Sequence, residues 1–227
     1  EAAPPVEGLM TLVDGASAAS SHVTKARTRV AANANPEPFS NWGLSLLEDF
    51  EIQPRWLNEI SLDGGTTGVW SVGSSFLGDE DWVLRGAANG SPSDTAMELP
   101  EVMVVDGVPF VLRFDHRFDF EGDEETLWDG GVIELSTDGG MTWRDVSELV
   151  DPGYTGIITD RAESPLSDRP AYSRRNDAFP RADTVRLDFG TALSGERVRF
   201  RFRIATDPAV GTPGWEIDDL VLTGVDP

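Results

Sequence analysis

From Arg197 to Ile204 the chain alternates without a break, with Val198, Phe200, Phe202 and Ile204 interleaved between Arg197, Arg199, Arg201 and Arg203. Successive side chains of a strand point to opposite faces, so strict period two specifies a β-strand with one apolar face and one cationic face. A Gly/Pro-containing loop leads into a second strand, Gly214-Trp-Glu-Ile-Asp-Asp-Leu-Val-Leu222, in which two carboxylates stand among aliphatics. At period two, one of Asp218 and Asp219 shares a face with Ile217 and Val221. A carboxylate carried into an apolar layer requires a partner, often a cation.

The same reading applies to Val111–Phe120, where Leu112, Phe114, His116, Phe118 and Phe120 fall on one face and Arg113, Asp115, Arg117 and Asp119 on the other. Shorter runs at 132–136 and 185–189 also alternate, Gly-rich turns such as Asp63-Gly-Gly separate the segments, and no stretch longer than two turns has helical periodicity. These features predict an all-β fold built as a sandwich of two antiparallel sheets. With 227 residues the chain accommodates one such sandwich and an appendage. Residues 1–40, rich in Ala, Ser, Asn and Pro, read as a linker or an extended arm, and residues 41–227 as the sandwich domain, with β texture from Leu44 onward.

Seven tryptophans and 39% hydrophobic residues supply a packed core and exclude wholesale disorder. The formal charge of −22 argues against nucleic acid or an anionic membrane as partner, since both attract clustered cations. Much of the acid lies between Leu44 and Gly131, where 19 acidic residues face 4 basic ones. No cysteine is present, so disulfides, thiolate metal sites and thiol nucleophiles are unavailable. No apolar run approaches the roughly 20 residues of a membrane span. The sequence opens on Glu1-Ala-Ala-Pro-Pro without a charged and then apolar leader, so any export signal is expected to have been removed or to lie in a longer precursor.

Ser136-Thr-Asp-Gly-Gly-Met-Thr-Trp143 has the Ser-x-Asp-x-Gly-x-Thr-Trp pattern of an Asp-box hairpin, in which Asp138 is expected to accept turn N–H groups and Trp143 to pin the hairpin to the core. This single copy marks a turn. Together with Phe114–Glu121, Trp128-Asp-Gly-Gly, Arg169-Pro-Ala-Tyr172 and the two C-terminal strands, the order of segments from about Leu44 to Val225 resembles the MAM-like jelly-roll modules. Such modules are found C-terminally in secreted bacterial metallopeptidases of the immune-inhibitor-A and fungalysin types and in other exported proteins. The resemblance implies a jelly-roll sandwich and a secreted, extracellular, bacterial setting. It further implies a non-catalytic accessory or adhesion role on an extracellular polysaccharide or protein. Two alternatives remain open beside it: a structural subunit docking on its neighbours through residues 1–40, and a carbohydrate-binding module with an exposed aromatic row drawn from Trp42, Trp56, Trp70, Trp82 and Trp128.

The residues themselves offer little for catalysis. His-Glu-x-x-His is absent, and the two histidines are His22 in the arm and His116 on an apolar strand face, so a zinc peptidase centre cannot be assembled from them. A structural Ca²⁺ is the expected cofactor. The resemblance to jelly-roll modules places an acidic residue of the first strand beside an Asp of the last, which matches Glu51 with Asp218, Asp219 being the alternate and Asp129 of Trp128-Asp-Gly-Gly a further candidate. Oxygen donors without His or Cys select calcium over zinc. The competing reading has these acids capping turns or pairing with the 197–203 arginines, whose other expected partners are Asp115, Asp119 and Asp188.

Overall fold

The structure, a computed structural model, describes residues 40–41, 45–78 and 81–226. The arm expected over residues 1–40 therefore lies outside the described residues, apart from Ser40. Among the described residues sixteen strands follow one another: β1 (Ser40–Asn41), β2 (Ser45–Glu48), β3 (Asn58–Ser61), β4 (Trp70–Ser74), β5 (Trp82–Ala88), β6 (Ser93–Glu98), β7 (Val102–Val104) and β8 (Phe110–Asp119). After them come β9 (Gly130–Ser136), β10 (Arg144–Asp145), β11 (Gly156–Ile157), β12 (Pro170–Ala171), β13 (Asp183–Gly190), β14 (Arg197–Thr206), β15 (Thr212–Thr223) and β16 (Val225–Asp226).

Two seven-stranded antiparallel sheets form the expected jelly-roll sandwich. The long strands β14 and β15, consecutive in the chain, are central in opposite sheets. β15 pairs with β8 along one edge and with β5 and then β2 along the other. β14 does the same with β9 on one side and with β6 and β7 on the other. The chain thus crosses repeatedly between sheets, and each inner face buries what its alternation offers. Val198, Phe200, Phe202 and Ile204 are at most 1% exposed, and they meet Leu112, Phe114, Phe118, Trp215 and Ile217 from the other sheet. Burying each such side chain contributes about 1.5–3 kcal/mol.

Within this core, Phe114, Phe118, Tyr172 and Trp215 surround His116 at ring separations of 4.7–6.1 Å. The Trp215 indole N–H donates to His116 Nδ1 at 3.1 Å. Burial lowers the imidazole to about 4, so at neutral pH it is an uncharged acceptor. The face expected to hold His116 is thus correct, and the residue is a satisfied core histidine.

Alternation fails in β15. Trp215, Glu216 and Ile217 are all buried, Asp218 and Asp219 are half-buried, and burial then resumes at Leu220 and Leu222 rather than at Val221. The cause is a bulge between Asp218 and Val221, with Asp219 in the left-handed region at φ 47°. An extra residue rotates everything after it by one pleat. The bulge falls where β15 leaves β5 and begins to pair with β2. The expected sharing of a face by Ile217 and Val221 is overturned for this reason.

The arginine stripe faces outward from the inner core, yet Arg201 is only 7% exposed. An excursion between β11 and β13 lays Ile158, Ala162, Leu166 and Ala171 over Val132 and Ala205, closing the outer face of β9 and β14. Beneath it, Glu134 receives Arg201, Arg203 and Arg169, and Asp94 receives Arg203 in a two-pronged contact. The expected partners Asp115, Asp119 and Asp188 belong to the opposite sheet, where they pair with Arg113, Arg175 and Arg186. Trp143 also differs from expectation. The Asp-box turn forms, with Asp138 accepting from the Thr142 N–H and hydroxyl, but the indole lies under the Arg201 guanidinium at 4.4 Å on this outer face, not in the core.

Candidate functional site

Three carboxylates converge at one end of the sandwich. Glu121 follows β8, Asp129 immediately precedes β9, and Asp207 immediately follows β14, so the two sheets and the β14–β15 connection each contribute one. A ligand atom from each lies within 4.8 Å of the others, the only such group of three or more among the described residues. Local backbone bonds fix the arrangement: the Trp128 and Asp129 N–H groups donate to the Glu121 carbonyl, and the Ser173 hydroxyl donates to the Asp129 carbonyl at 2.6 Å. Asp129 is fully buried. Its Oδ1 accepts the Asp207 N–H at 2.7 Å, and its Oδ2 has no hydrogen-bond partner. Burial pushes this carboxyl up to about 7; the Asp207 N–H opposes the rise, and the charges of Asp207 and Glu121 add to it.

The glycines after Asp129 serve a purpose that turn chemistry did not suggest. Gly130 and Gly131 are strand residues, and a Cβ at Gly131 would stand 2.5 Å from the Trp215 ring. Close approach of β9 to the central tryptophan requires Gly131, and the Tyr172 carbonyl, 2.8 Å from a would-be Cβ, requires Gly130.

The four residues expected to hold metal do not all fall in one carboxylate group among the described residues. Asp129 belongs to the carboxylate group just described. Glu51, in the loop after β2, accepts the Trp82 N–H at 3.3 Å, while Asp218 and Asp219 occupy the β15 bulge, and none of the three joins that group. Glu121 and Asp207 were not singled out as ligands, since only the fold brings them together with Asp129.

The strands that run side by side here are the second and the next-to-last, β2 and β15, in place of the expected first and last, and the carboxylate buried at their junction is Glu48, opposite Leu220. It accepts the Phe50 N–H at 2.9 Å and the Trp56 indole N–H at 3.2 Å. Burial pushes it up from 4.5 to about 7. A carboxyl raised in the fold favours the folded state fully below its unfolded value, and that contribution is lost as pH rises through about 7. The shift corresponds to on the order of 3 kcal/mol. The melting temperature is therefore expected to fall between pH 5 and 8 more steeply in the wild type than in Glu48→Gln. Parallel slopes would show that Glu48 titrates normally.

A second feature is open. Two adjoining concavities of about 300 and 740 Å³ lie along the loops at 151–155 and 173–177, sharing Gly153, Thr155, Asn176 and Asp177. Their walls carry both charge signs, with Asp151 and Asp183 in one and Arg174 and Arg175 in the other. Arg174 is held at φ 58°, and Arg175 bonds Asp119 at 2.9 Å while lying 4.9 Å over the Phe179 ring.

Comparison with known proteins gives a family described as a domain of unknown function, DUF4126, matching residues 1–51, which overlaps the described residues only at their start. No curated protein matches. Among solved structures, the K1 cleaved adhesin domain of Lys-gingipain from Porphyromonas gingivalis W83 is 15% identical, with 80% of this chain and 99% of that one covered and a TM-score of 0.46. TmCBM61, solved in complex with β-1,4-galactotriose, is 10% identical over 72% of this chain and 94% of that one, TM-score 0.35. The C-terminal CBM6 of LamC from Zobellia galactanivorans is 12% identical over 74% and 98%, TM-score 0.29. No helix among the described residues is long and apolar enough to cross a membrane.

Proposed function

We propose that this chain is a non-catalytic binding module that engages an extracellular polymer, polysaccharide or protein, and positions a larger exported protein, such as a peptidase, upon it. The observation that carries this reading is the two-part polar groove. It is walled by loops on a rigid sandwich, the usual placement of recognition residues. It combines guanidinium donors with carboxylate acceptors, and such a set recognises hydroxyl- and amide-rich polymers through hydrogen bonds; the buried Asn176 amide is engaged inside the fold by Phe118, Arg181 and Asp183. The one histidine among the described residues, His116, is buried at the floor of the smaller concavity and accepts the Trp215 indole N–H.

The described tryptophans favour hydrogen bonding over sugar stacking as the mode of recognition. Trp70 and Trp215 are buried, Trp56, Trp128 and Trp143 are half-buried, and Trp82 is 40% exposed on β5, outside the groove lining. Trp42 lies outside the described residues.

Binding of the full chain to insoluble polysaccharides and to immobilised matrix proteins is the test. A retained ligand whose affinity falls at least about tenfold in Arg174→Ala and in Asp177→Ala, with unchanged melting temperatures, supports the groove. Retention that both variants leave untouched sinks it.

A further inference from the structure

We infer that Glu121, Asp129 and Asp207 hold a Ca²⁺ ion that clips the two sheets together at this end of the sandwich. The inference is independent of the groove and of what the groove binds. Its first support is a contrast within the molecule. The other buried acids have donors on both carboxylate oxygens: Glu134 has three guanidinium groups, Glu216 has Arg117 and Arg85, Asp94 has Arg203, and Glu48 has the Phe50 N–H and the Trp56 indole N–H. Glu121, Asp129 and Asp207 have no arginine, lysine or histidine ion pair among the described residues, although they bring three carboxylates together.

The second support is the orphaned oxygen. Backbone N–H groups of the β14–β15 connection satisfy one oxygen of each acid: Asp207 N–H on Asp129 Oδ1 at 2.7 Å, Ala209 N–H on Asp207 Oδ1 at 2.9 Å, and Val210 N–H on Glu121 Oε2 at 3.0 Å. Asp129 Oδ2 is left buried with no partner. A buried carboxylate oxygen without a donor is costly, and a cation among three such groups removes both that cost and their mutual repulsion.

The chemistry of the donors selects the ion. All three are carboxylate oxygens, with no nitrogen or sulfur among them, which suits a hard cation. Two oxygens bound to one Ca²⁺ at about 2.3–2.6 Å stand no more than roughly 5 Å apart, and the observed limit of 4.8 Å fits that span. Calcium also tolerates irregular ligand sets completed by water, whereas magnesium demands a near-ideal octahedron. Glu121 is only half-buried, so the ion has an entrance on that side.

The test uses the full chain stripped with a chelator and titrated with CaCl₂ by calorimetry at about 0.1 M NaCl, where diffuse attraction to an acidic surface is screened. One saturable site is expected, with a rise in melting temperature of roughly 5–10 °C at a hundredfold excess over Kd. Asp129→Asn should weaken binding by at least about a hundredfold, and Glu121→Gln by at least about tenfold, while Glu51→Gln and Asp218→Asn bind as the wild type does. Should Asp129→Asn fail to fold, Glu121→Gln on the half-exposed rim decides alone. The assignment is overturned if the wild type shows no saturable site, if Glu121→Gln titrates like the wild type, or if the Glu51 or Asp218 variant is the one that loses the ion.

Discussion

Glu134→Ala should cost about 3–5 kcal/mol of stability in urea denaturation, the largest loss expected from any single ionic side chain in this protein. Glu134 is 3% exposed and accepts Arg201 and Arg203 along β14 and Arg169 from the excursion above. Burial alone would raise its carboxyl, but the three guanidinium groups outweigh burial and hold it below the usual range. Truncation leaves Arg201 stacked on Trp143 without a carboxylate, and Arg203 and Arg169 with only Asp94 and Asp145. The cost comes from charges left buried and unpaired, more than from the attraction removed. Glu101→Ala is the control. Its partner Arg197 is 65% exposed, and loss of such a pair is expected to change stability by less than about 1 kcal/mol. Equal losses in the two variants would mean that the covered outer face is wet and that the network is only a surface feature.

Gly214→Ala should destabilise by about 3 kcal/mol or more. Gly214 opens the central part of β15 at φ 85°, a region in which a side chain costs about 1–2 kcal/mol. Here the added Cβ would also drive into the β5 backbone, against the Gly86 carbonyl and 2.6 Å from the Ala88 nitrogen. Backbone in a paired strand cannot give way without breaking the β5–β15 ladder, so crowding adds to the conformational cost. Gly195 has nearly the same φ, 74°, with nothing within 4 Å of its would-be Cβ. Gly195→Ala is therefore expected to lose only the conformational part, and its difference from Gly214→Ala in the same denaturation series measures the clash. If Gly214→Ala is no worse than Gly195→Ala, β5 and β15 are not as close as described.

The strands with uninterrupted alternation were legible in the sequence. In β14 apolar and polar residues change places at every step from Arg197 to Ile204, in β8 one face from Leu112 on is aromatic or aliphatic but for His116, burial on one face follows from strand geometry alone, and the order of such segments sufficed for two antiparallel sheets. In β15 the same reasoning failed at Asp218-Asp219, because a bulge is selected by the change of pairing partner from β5 to β2, which has no local mark. The Asp box illustrates an intermediate case. Its turn bonds are local and were foreseen, whereas the surface on which Trp143 rests is supplied by a residue 58 positions away in the chain, Arg201.

The candidate sites divide along the same line. Asp129 was visible as an acid followed by two glycines, but its isolation from cations and its convergence with Glu121 and Asp207 arise only when the ends of β8, β9 and β14 meet. The covered arginines, likewise, depend on the excursion after β11 folding back over an outer face that period two assigns to water.

What the sequence determined by itself is therefore the sandwich and the inner face of its most regular strands, since alternation is a nearest-neighbour property of the chain. Tertiary structure alone decided which charges are paired, which are buried and which three carboxylates face one another. Those outcomes depend on contacts between residues far apart in sequence, and on the dielectric that the covering segments create around them.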